Sequence, residues 1–258
     1  MRFIIAALAV FFTFAVAGQA APTASIIQST PWTCRGPQDL DLVKLTLNNS
    51  GSDAVYLRQD CSGRIGRLEV SGVFADCIKV NAPAPAAHDL VIEGGYCKDE
   101  STSSSHKDGI QAMSGQRITI RNFAWDVGTP SGGTGGGHFF IAASNGGNPD
   151  QILCDNCAFG PRMNNQIRTP SDPDSGVSNS LVCQSFSGRQ VYSPASGDKG
   201  GNFSPAASDP QCSFEGLLAY VGGSAPPSPP PPPPPPSPPP PPSPPPPPPS
   251  PPPGFGGF

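Results

Sequence analysis

The feature that most constrains this chain is a faint internal repeat with an apolar third position. It reads Asp53-Ala54-Val55-Tyr56-Leu57, Asp76-Cys77-Ile78-Lys79-Val80 and Asp108-Gly109-Ile110-Gln111-Ala112. It continues as His138-Phe139-Phe140-Ile141-Ala142, Asn165-Gln166-Ile167-Arg168-Thr169 and, more weakly, Arg189-Gln190-Val191-Tyr192-Ser193. Successive starts lie 23, 32, 30, 27 and 24 residues apart, the range of coil lengths in a β-solenoid. An alternating apolar pair follows each of the first five: Leu68/Val70, Leu90/Ile92, Ile118/Ile120, Ile152/Cys154 and Leu181/Cys183. Period two puts both members of a pair on one face of a strand.

Two residues after each pair stand Gly72, Gly94, Asn122, Asn156 and Ser185. Glycine and asparagine enter the left-handed region at little cost, so this column predicts a sharp bend at a fixed point of every coil. Val73-Phe74, Tyr96, Phe123, Phe159 and Phe186 then open a third strand. The expectation is an all-β fold: one domain, a right-handed parallel β-helix of about five to seven coils with three strands per coil. No helical pattern of useful length appears between the ends. An antiparallel sandwich is the competing architecture, but it would leave the Gly/Asn column at coil spacing unexplained.

The ends of the chain are of other kinds. Met1-Arg2 precedes an apolar run from Phe3 to Val16 and small residues up to Ala20. This is the shape of a signal peptide over residues 1–20, cleaved after Ala17 or Ala20; an uncleaved anchor is the alternative. Residues 21–223 form the β-helix domain. Residues 224–258 are a tail of proline interrupted by Ser228, Ser237, Ser243 and Ser250 from Pro226 to Pro253. Proline fixes φ and lacks an N–H, so this stretch is expected to be a polyproline II rod roughly 90 Å long. Its Ser-and-proline pattern resembles the repeats of extensins and other hydroxyproline-rich wall glycoproteins. The tail is either a wall-binding element or an inert spacer.

Eight cysteines in an exported chain favour disulfides over metal ligation. A net charge of −4 with no basic cluster makes nucleic acid an unsuitable partner. With the signal removed, no further apolar stretch is long enough to span a bilayer, and a secreted, extracellular monomer is expected.

Asp108 to Val127, Asp-Gly-Ile-Gln-Ala-Met-Ser-Gly-Gln-Arg-Ile-Thr-Ile-Arg-Asn-Phe-Ala-Trp-Asp-Val, resembles coils of the pectin lyase-like superfamily of pectate lyases and polygalacturonases. The resemblance covers roughly Asp53 to Ser193. It implies an extracellular polysaccharide as partner, bound on the outer face of the first strands. By parity, positions three and five of each repeat point inward and position four outward. That places Tyr56, Lys79, Gln111, Ile141, Arg168 and Tyr192 along one face, neighbours about 4.8 Å apart. Tyr can stack on a sugar ring and Arg can clamp a uronate. His106, Lys107 and Asp108 stand at the mouth of one coil and His138 at the next. The segments Cys97–Lys107 and Gly128–Gly137 are the long loops expected to wall this face.

Lys79, Asp108, His138 and Arg168 are therefore the candidate catalytic residues, with Tyr56, His106, Gln111 and Tyr192 as candidate substrate-binding residues. Elimination needs a base for the C5 proton and a cation to neutralise the uronate. Hydrolysis needs two carboxylates flanking the bond. Lys107-Asp108-Gly109-Ile110 stands where polygalacturonases carry Asn-Thr-Asp-Gly, and Gln111 where a second acid often stands. A lyase is thus favoured over a hydrolase, with non-catalytic binding or a wall-structural role as the alternative. Because Asp53, Asp76 and Asp108 share one motif position, a bend-capping role for the aspartate is the plain structural reading. The resemblance to pectate lyases admits Ca²⁺ as a cofactor. Asp150 and Asp155 are scattered acids, and they define no metal site.

Cys154 and Cys183 fall in one inward column of successive coils by this register, within disulfide range. Buried thiols acting as small hydrophobes are the alternative. Pairing of Cys34, Cys61, Cys77, Cys97, Cys157 and Cys212 is open at this level.

Overall fold

The computed structural model describes residues 24–49, 51–81, 86–102, 106–129, 136–143, 147–170, 172–186, 191–193 and 195–222. The expected signal peptide and proline-rich tail lie outside them, as do residues 103–105 and 130–135 of the two long loops.

The chain winds as a parallel β-solenoid with three sheets. Sheet 1 stacks Trp32–Cys34, Val55–Leu57, Ile78–Val80, Ile110–Ala112, Gly137–Ile141, Asn165–Arg168 and Tyr192–Ser193. Sheet 2 stacks Pro37–Leu40, Ser62–Ile65, His88–Ile92, Gln116–Arg121, Asp150–Asp155 and Gly176–Ser178. Sheet 3 stacks Ser25–Gln28, Leu42–Asn48, Leu68–Val73, Gly95–Asp99, Phe123–Asp126, Ala158–Phe159 and Leu181–Val182. Every neighbouring pair is parallel, since each coil returns to the same sheet one rung further on.

The expected parity holds in the short strands of sheet 1. Tyr56, Lys79 and Gln111 are half-buried between fully buried neighbours, because two of three side chains fill the bore. In the next coil the register is one residue off from expectation. Ile110 pairs with Phe139, so Phe140 takes the outward place and Ile141 is buried. Tyr192 opposes Ile167, an inward position, and Ser193 opposes Arg168. The expected outward column was therefore wrong at Ile141 and Tyr192.

Sheet 2 matches the apolar pairs of the three central coils. At the two ends the pairs were assigned to the wrong sheet: Leu68/Val70 and Leu181 belong to sheet 3, and Ile65 and Val177 occupy the sheet 2 rungs. Two alternating apolar strands in one coil look alike by period. Ser62-Gly63-Arg64-Ile65 offers only one large apolar residue, so its signal was the weaker one.

The bend after sheet 2 stacks Gly94, Asn122, Asn156 and Asn179. Asn122, Asn156 and Asn179 have φ of +51°, +51° and +49°. Asn156 Nδ2 donates to Asn122 Oδ1 (2.7 Å), and Asn122 Nδ2 to the Glu93 carbonyl (3.1 Å), so the column is also a hydrogen-bonded ladder. Gly72 is not in this column: it sits within sheet 3, opposite Asp99. In the third coil the left-handed residue is Gly95 (φ +134°), where a Cβ would meet the Leu68 carbonyl oxygen at 1.8 Å. A second left-handed column, Asp89, Arg117 and Gln151, opens the sheet 2 strands. Arg117 grips Asp89 there through two bonds of 2.6 and 2.8 Å.

The bore is filled by one continuous apolar cluster from Trp32 to Val182, including Phe74, Phe123, Trp125, Phe139 and Phe159. A helix, Phe214–Gly222, covers the outside of sheet 3. Leu217 is buried there with Ala124, Ala158, Leu181 and Cys183, and Tyr96 meets Phe214 edge-on at 5.5 Å. This helix was not expected; its nine residues carry too short a pattern to stand out.

Four disulfides link Cys34–Cys61, Cys77–Cys97, Cys154–Cys157 and Cys183–Cys212. The expected Cys154–Cys183 bridge is absent. Cys154 joins the bore cluster, whereas Cys183 lies under the helix on the far side of sheet 3, so their columns differ.

Candidate functional site

The outer face of sheet 1 carries one registered column: Thr33, Tyr56, Lys79, Gln111, Phe140 and Arg168. Rungs about 4.8 Å apart put Tyr56 and Phe140 about 14 Å apart, with the Lys and Gln between them. Each aromatic ring has a guanidinium over it: Arg58 lies 4.5 Å from the Tyr56 centroid, and Arg168 4.8 Å from that of Phe140. The face therefore presents flat rings, cations and one amide.

Behind the column runs a ladder of carboxylates. Asp53 Oδ1 accepts from the Asp76 N–H (3.1 Å), Asp76 Oδ1 from the Asp108 N–H (2.8 Å), and Asp108 Oδ1 from the Gly137 N–H (2.6 Å). Each aspartate thus caps the next coil where it turns into sheet 1, the plain structural role foreseen for Asp108. Gly137, not His138, holds the equivalent position in the fourth repeat. This explains the one-residue offset.

The other oxygen of each deep carboxylate meets a basic side chain. Asp76 Oδ2 lies 2.8 Å from Lys79 Nζ, which also donates to Gln111 Oε1. Asp108 Oδ2 lies 3.0 Å from His106 Nε2. Asp76 and Asp108 are buried, Lys79 is 17% exposed and His106 is 55% exposed. Burial, then repulsion from Asp108, outweighs Lys79 and raises Asp76 to about 6. Burial opposes the Lys79 charge, but its bond to Asp76 prevails and lifts its pKa. The bond to Asp108 lifts His106. Burial and the neighbouring Asp53 raise the Tyr56 phenol.

The structure thus brings Lys79, Gln111, Asp108, His106, Tyr56 and Arg168 to one region of the fold, with Asp108 beneath the surface rather than at its edge. His138 does not join them. It is fully buried, with Nε2 2.8 Å from the Gly160 carbonyl and Nδ1 without a hydrogen-bond partner among the described residues, and burial lowers it to about 3. Its expected place at the groove edge is therefore incorrect. Tyr192 also turns inward, packs against the bore cluster, and has its phenol raised by burial.

Lys107, placed by sequence beside Asp108, is sealed in an ion pair with Asp99 (3.0 Å) and donates to the Phe74 carbonyl (2.6 Å). Sequence reasoning missed Asp76, Arg58 and Phe140 as members of the face. The shared motif position of Asp53, Asp76 and Asp108 was the available signal for Asp76.

Among the described residues, Asp150, Asp172 and Asp174 bring carboxylate oxygens within 4.8 Å of one another. An all-carboxylate set suits a hard cation such as Ca²⁺. However, Asp172 already accepts from Ser175 Oγ and the Asp174 N–H, and Asp150 belongs to sheet 2 rather than to the sheet 1 face. Asp155 is separate from this group, accepting from Ser178 and Asn179.

No protein-family model matches the sequence, and neither curated proteins nor solved structures give a significant match. No helix among the described residues is long and apolar enough to cross a membrane.

Proposed function

We propose that this chain is a secreted carbohydrate-active protein that lays an acidic extracellular polysaccharide across the coils of sheet 1. The observation that carries this reading is the registered column Tyr56–Lys79–Gln111–Phe140–Arg168, in which each ring is followed by a cation on the next rung and one amide lies between the two pairs. Rings supply the apolar faces that pyranoses stack on, and Lys and Arg supply charge for uronates. Four disulfides are in keeping with an oxidising, extracellular setting. The three-sheet solenoid is compatible with the pectin lyase-like architecture suggested by Asp108–Val127.

Of the chemistries open to such a face, β-elimination fits its groups better than hydrolysis. His106, when deprotonated, is the surface group able to take the C5 proton while Lys79 or Arg168 neutralises the adjoining carboxylate; the C–H electron pair becomes the C4=C5 double bond, the C4–O bond breaks, and the leaving glycosidic oxygen takes a proton from water. Inverting or retaining hydrolysis needs two reachable carboxylates, and Asp76 and Asp108 are both buried in the capping ladder. A second reading, binding without cleavage, is favoured by the bonds already made within the face: Asp76 and Gln111 engage the Lys79 ammonium, and Asp108 favours the protonated form of His106, which takes no proton.

Incubation of the secreted protein with pectate and alginate, with and without Ca²⁺, tests the proposal. Ultraviolet absorbance from a new C=C conjugated to the uronate supports elimination. Binding without product supports the second reading. Neither binding nor product removes the polysaccharide assignment.

A further inference from the structure

The Asp76–Lys79–Gln111 cluster carries an inference that rests on the polysaccharide reading and deepens it. Lys79 is the central cation of the column, yet its ammonium is turned to the protein itself, toward Asp76 Oδ2 at 2.8 Å and Gln111 Oε1. A polymer carboxylate approaching Lys79 must compete with a carboxylate already there. We propose that Asp76 is the positioning residue of this face, holding Lys79 Nζ down while ionised and releasing it to a uronate of the bound polymer once protonated.

The geometry makes the release selective. The groups facing Asp76 are Lys79 from its own coil, Asp53 from the coil before and Asp108 from the coil after, with His106 reached through Asp108. The Asp108 oxygens bond to the Gly137 N–H and His106 and not to Lys79, so of the two deep carboxylates it is Asp76 that holds the Lys79 ammonium. Asp76 Oδ1 accepts from the Asp108 N–H and Oδ2 from Lys79, so a proton taken on Oδ2 displaces the ammonium while the cap to Asp108 is kept. That proton removes one negative charge and leaves the Lys79 ammonium unchanged, so the face becomes more positive by one charge. The crowding of carboxylates and the burial of Asp76 set the transition near 6, within reach of mildly acidic extracellular conditions. A uronate, ionised above about pH 4 like other carboxylic acids, keeps its charge across that step.

The test measures polygalacturonate binding to the full secreted chain by titration calorimetry at about pH 5 and about pH 7.5, either side of the carboxylate transition. Wild type is expected to bind about ten-fold more tightly at the lower pH, the effect of one additional charge-assisted hydrogen bond to the polymer. Asp76→Asn, which keeps a carbonyl oxygen for the Asp108 N–H, is expected to bind with little pH dependence, at the low-pH affinity. His106→Gln removes the imidazole bonded to Asp108 and is expected to keep the ratio between the two pH values. A pH step that survives in Asp76→Asn, or is lost in His106→Gln, overturns the proposal. If nothing binds at either pH, the polysaccharide reading fails. NMR of the Asp76 carboxyl carbon and the Lys79 ammonium then decides the device alone. The two signals should titrate together, and a Lys79 signal indifferent to the Asp76 transition overturns it.

Discussion

Lys107 Nζ lies 3.0 Å from the Asp99 carboxylate, with the side chains 1% and 0% exposed. The pair is closed by further bonds: Lys107 donates to the Phe74 carbonyl, and Ser101 donates to both Asp99 oxygens. Lys107→Met leaves the Asp99 carboxylate buried with Ser101 as its remaining described side-chain partner. The expected loss is about 3–5 kcal/mol of unfolding free energy, because an uncompensated buried charge costs far more than a surface pair contributes. Urea denaturation measures this. A loss below about 1 kcal/mol would show that the site hydrates readily.

Two buried groups set opposing pH dependences. Asp76 is raised to about 6, so the folded state holds its proton more tightly than the unfolded chain; the stability this contributes is present below about pH 4 and is lost as pH rises through 6. His138 is lowered to about 3, so its contribution is present above about pH 6.5 and is lost as pH falls toward 3. Each slope is about 1.4 kcal/mol per pH unit, and between about pH 4 and 6 they cancel. Across that window the two contributions offset each other in the wild type, so its curve should lie between those of the two single variants. Asp76→Asn should lose stability as pH falls, and His138→Gln as pH rises. Parallel curves for all three proteins would contradict both assignments.

The ring faces of the column should matter for binding and little for folding. Tyr56 and Phe140 are half-buried on the outside of the bore. Tyr56→Ala and Phe140→Ala are each expected to weaken polysaccharide binding by about 1–2 kcal/mol, roughly ten-fold. Ile141→Ala, one residue along but turned into the bore, should instead destabilise the fold by about 2–5 kcal/mol. Affinity electrophoresis beside thermal unfolding separates the two effects. Equal behaviour of Phe140→Ala and Ile141→Ala would place the register in error.

The asparagine ladder offers a test of the bend. Asn122→Gly keeps access to φ +51° but loses two side-chain bonds. Asn122→Ala loses both the bonds and the conformational ease. The first should cost about 1 kcal/mol and the second about 1–2 kcal/mol more in equilibrium unfolding. If alanine is no worse than glycine, the left-handed backbone is not what asparagine supplies there.

The repeat was legible where coil geometry and side-chain chemistry coincide. Val55, Ile78 and Ile110 announced sheet 1 because a three-residue strand with two inward side chains has little latitude. Asn122 and Asn156 announced the bend because few residues accept left-handed backbone. The fourth repeat misled because its capping acceptor comes from Asp108 in the coil before, so Gly137 needs no polar side chain and His138 resembles the missing acid. The second left-handed column was invisible, since of Asp89, Arg117 and Gln151 only the aspartate is a residue that left-handed backbone favours. Of the site, the outward column from Tyr56 to Gln111 and Arg168 followed from parity. The burial of Asp108 and His138 and the hold of Asp76 on Lys79 depend on how adjacent coils interlock, which one-dimensional spacing does not encode.

The stacking of sheet 1 fixes the floor of the proposed groove independently of its sides. Lys79 and Gln111 are adjacent rungs although 32 residues separate them, and Gln111 and Phe140 are adjacent although the loop between them is of another composition. Rung height is set by backbone hydrogen bonds, so the length of an intervening loop does not change it. Insertions between the sheet 1 strands can therefore change what surrounds the face while the spacing of the floor residues stays constant. Length changes between coils are thus decoupled from the geometry of the face itself.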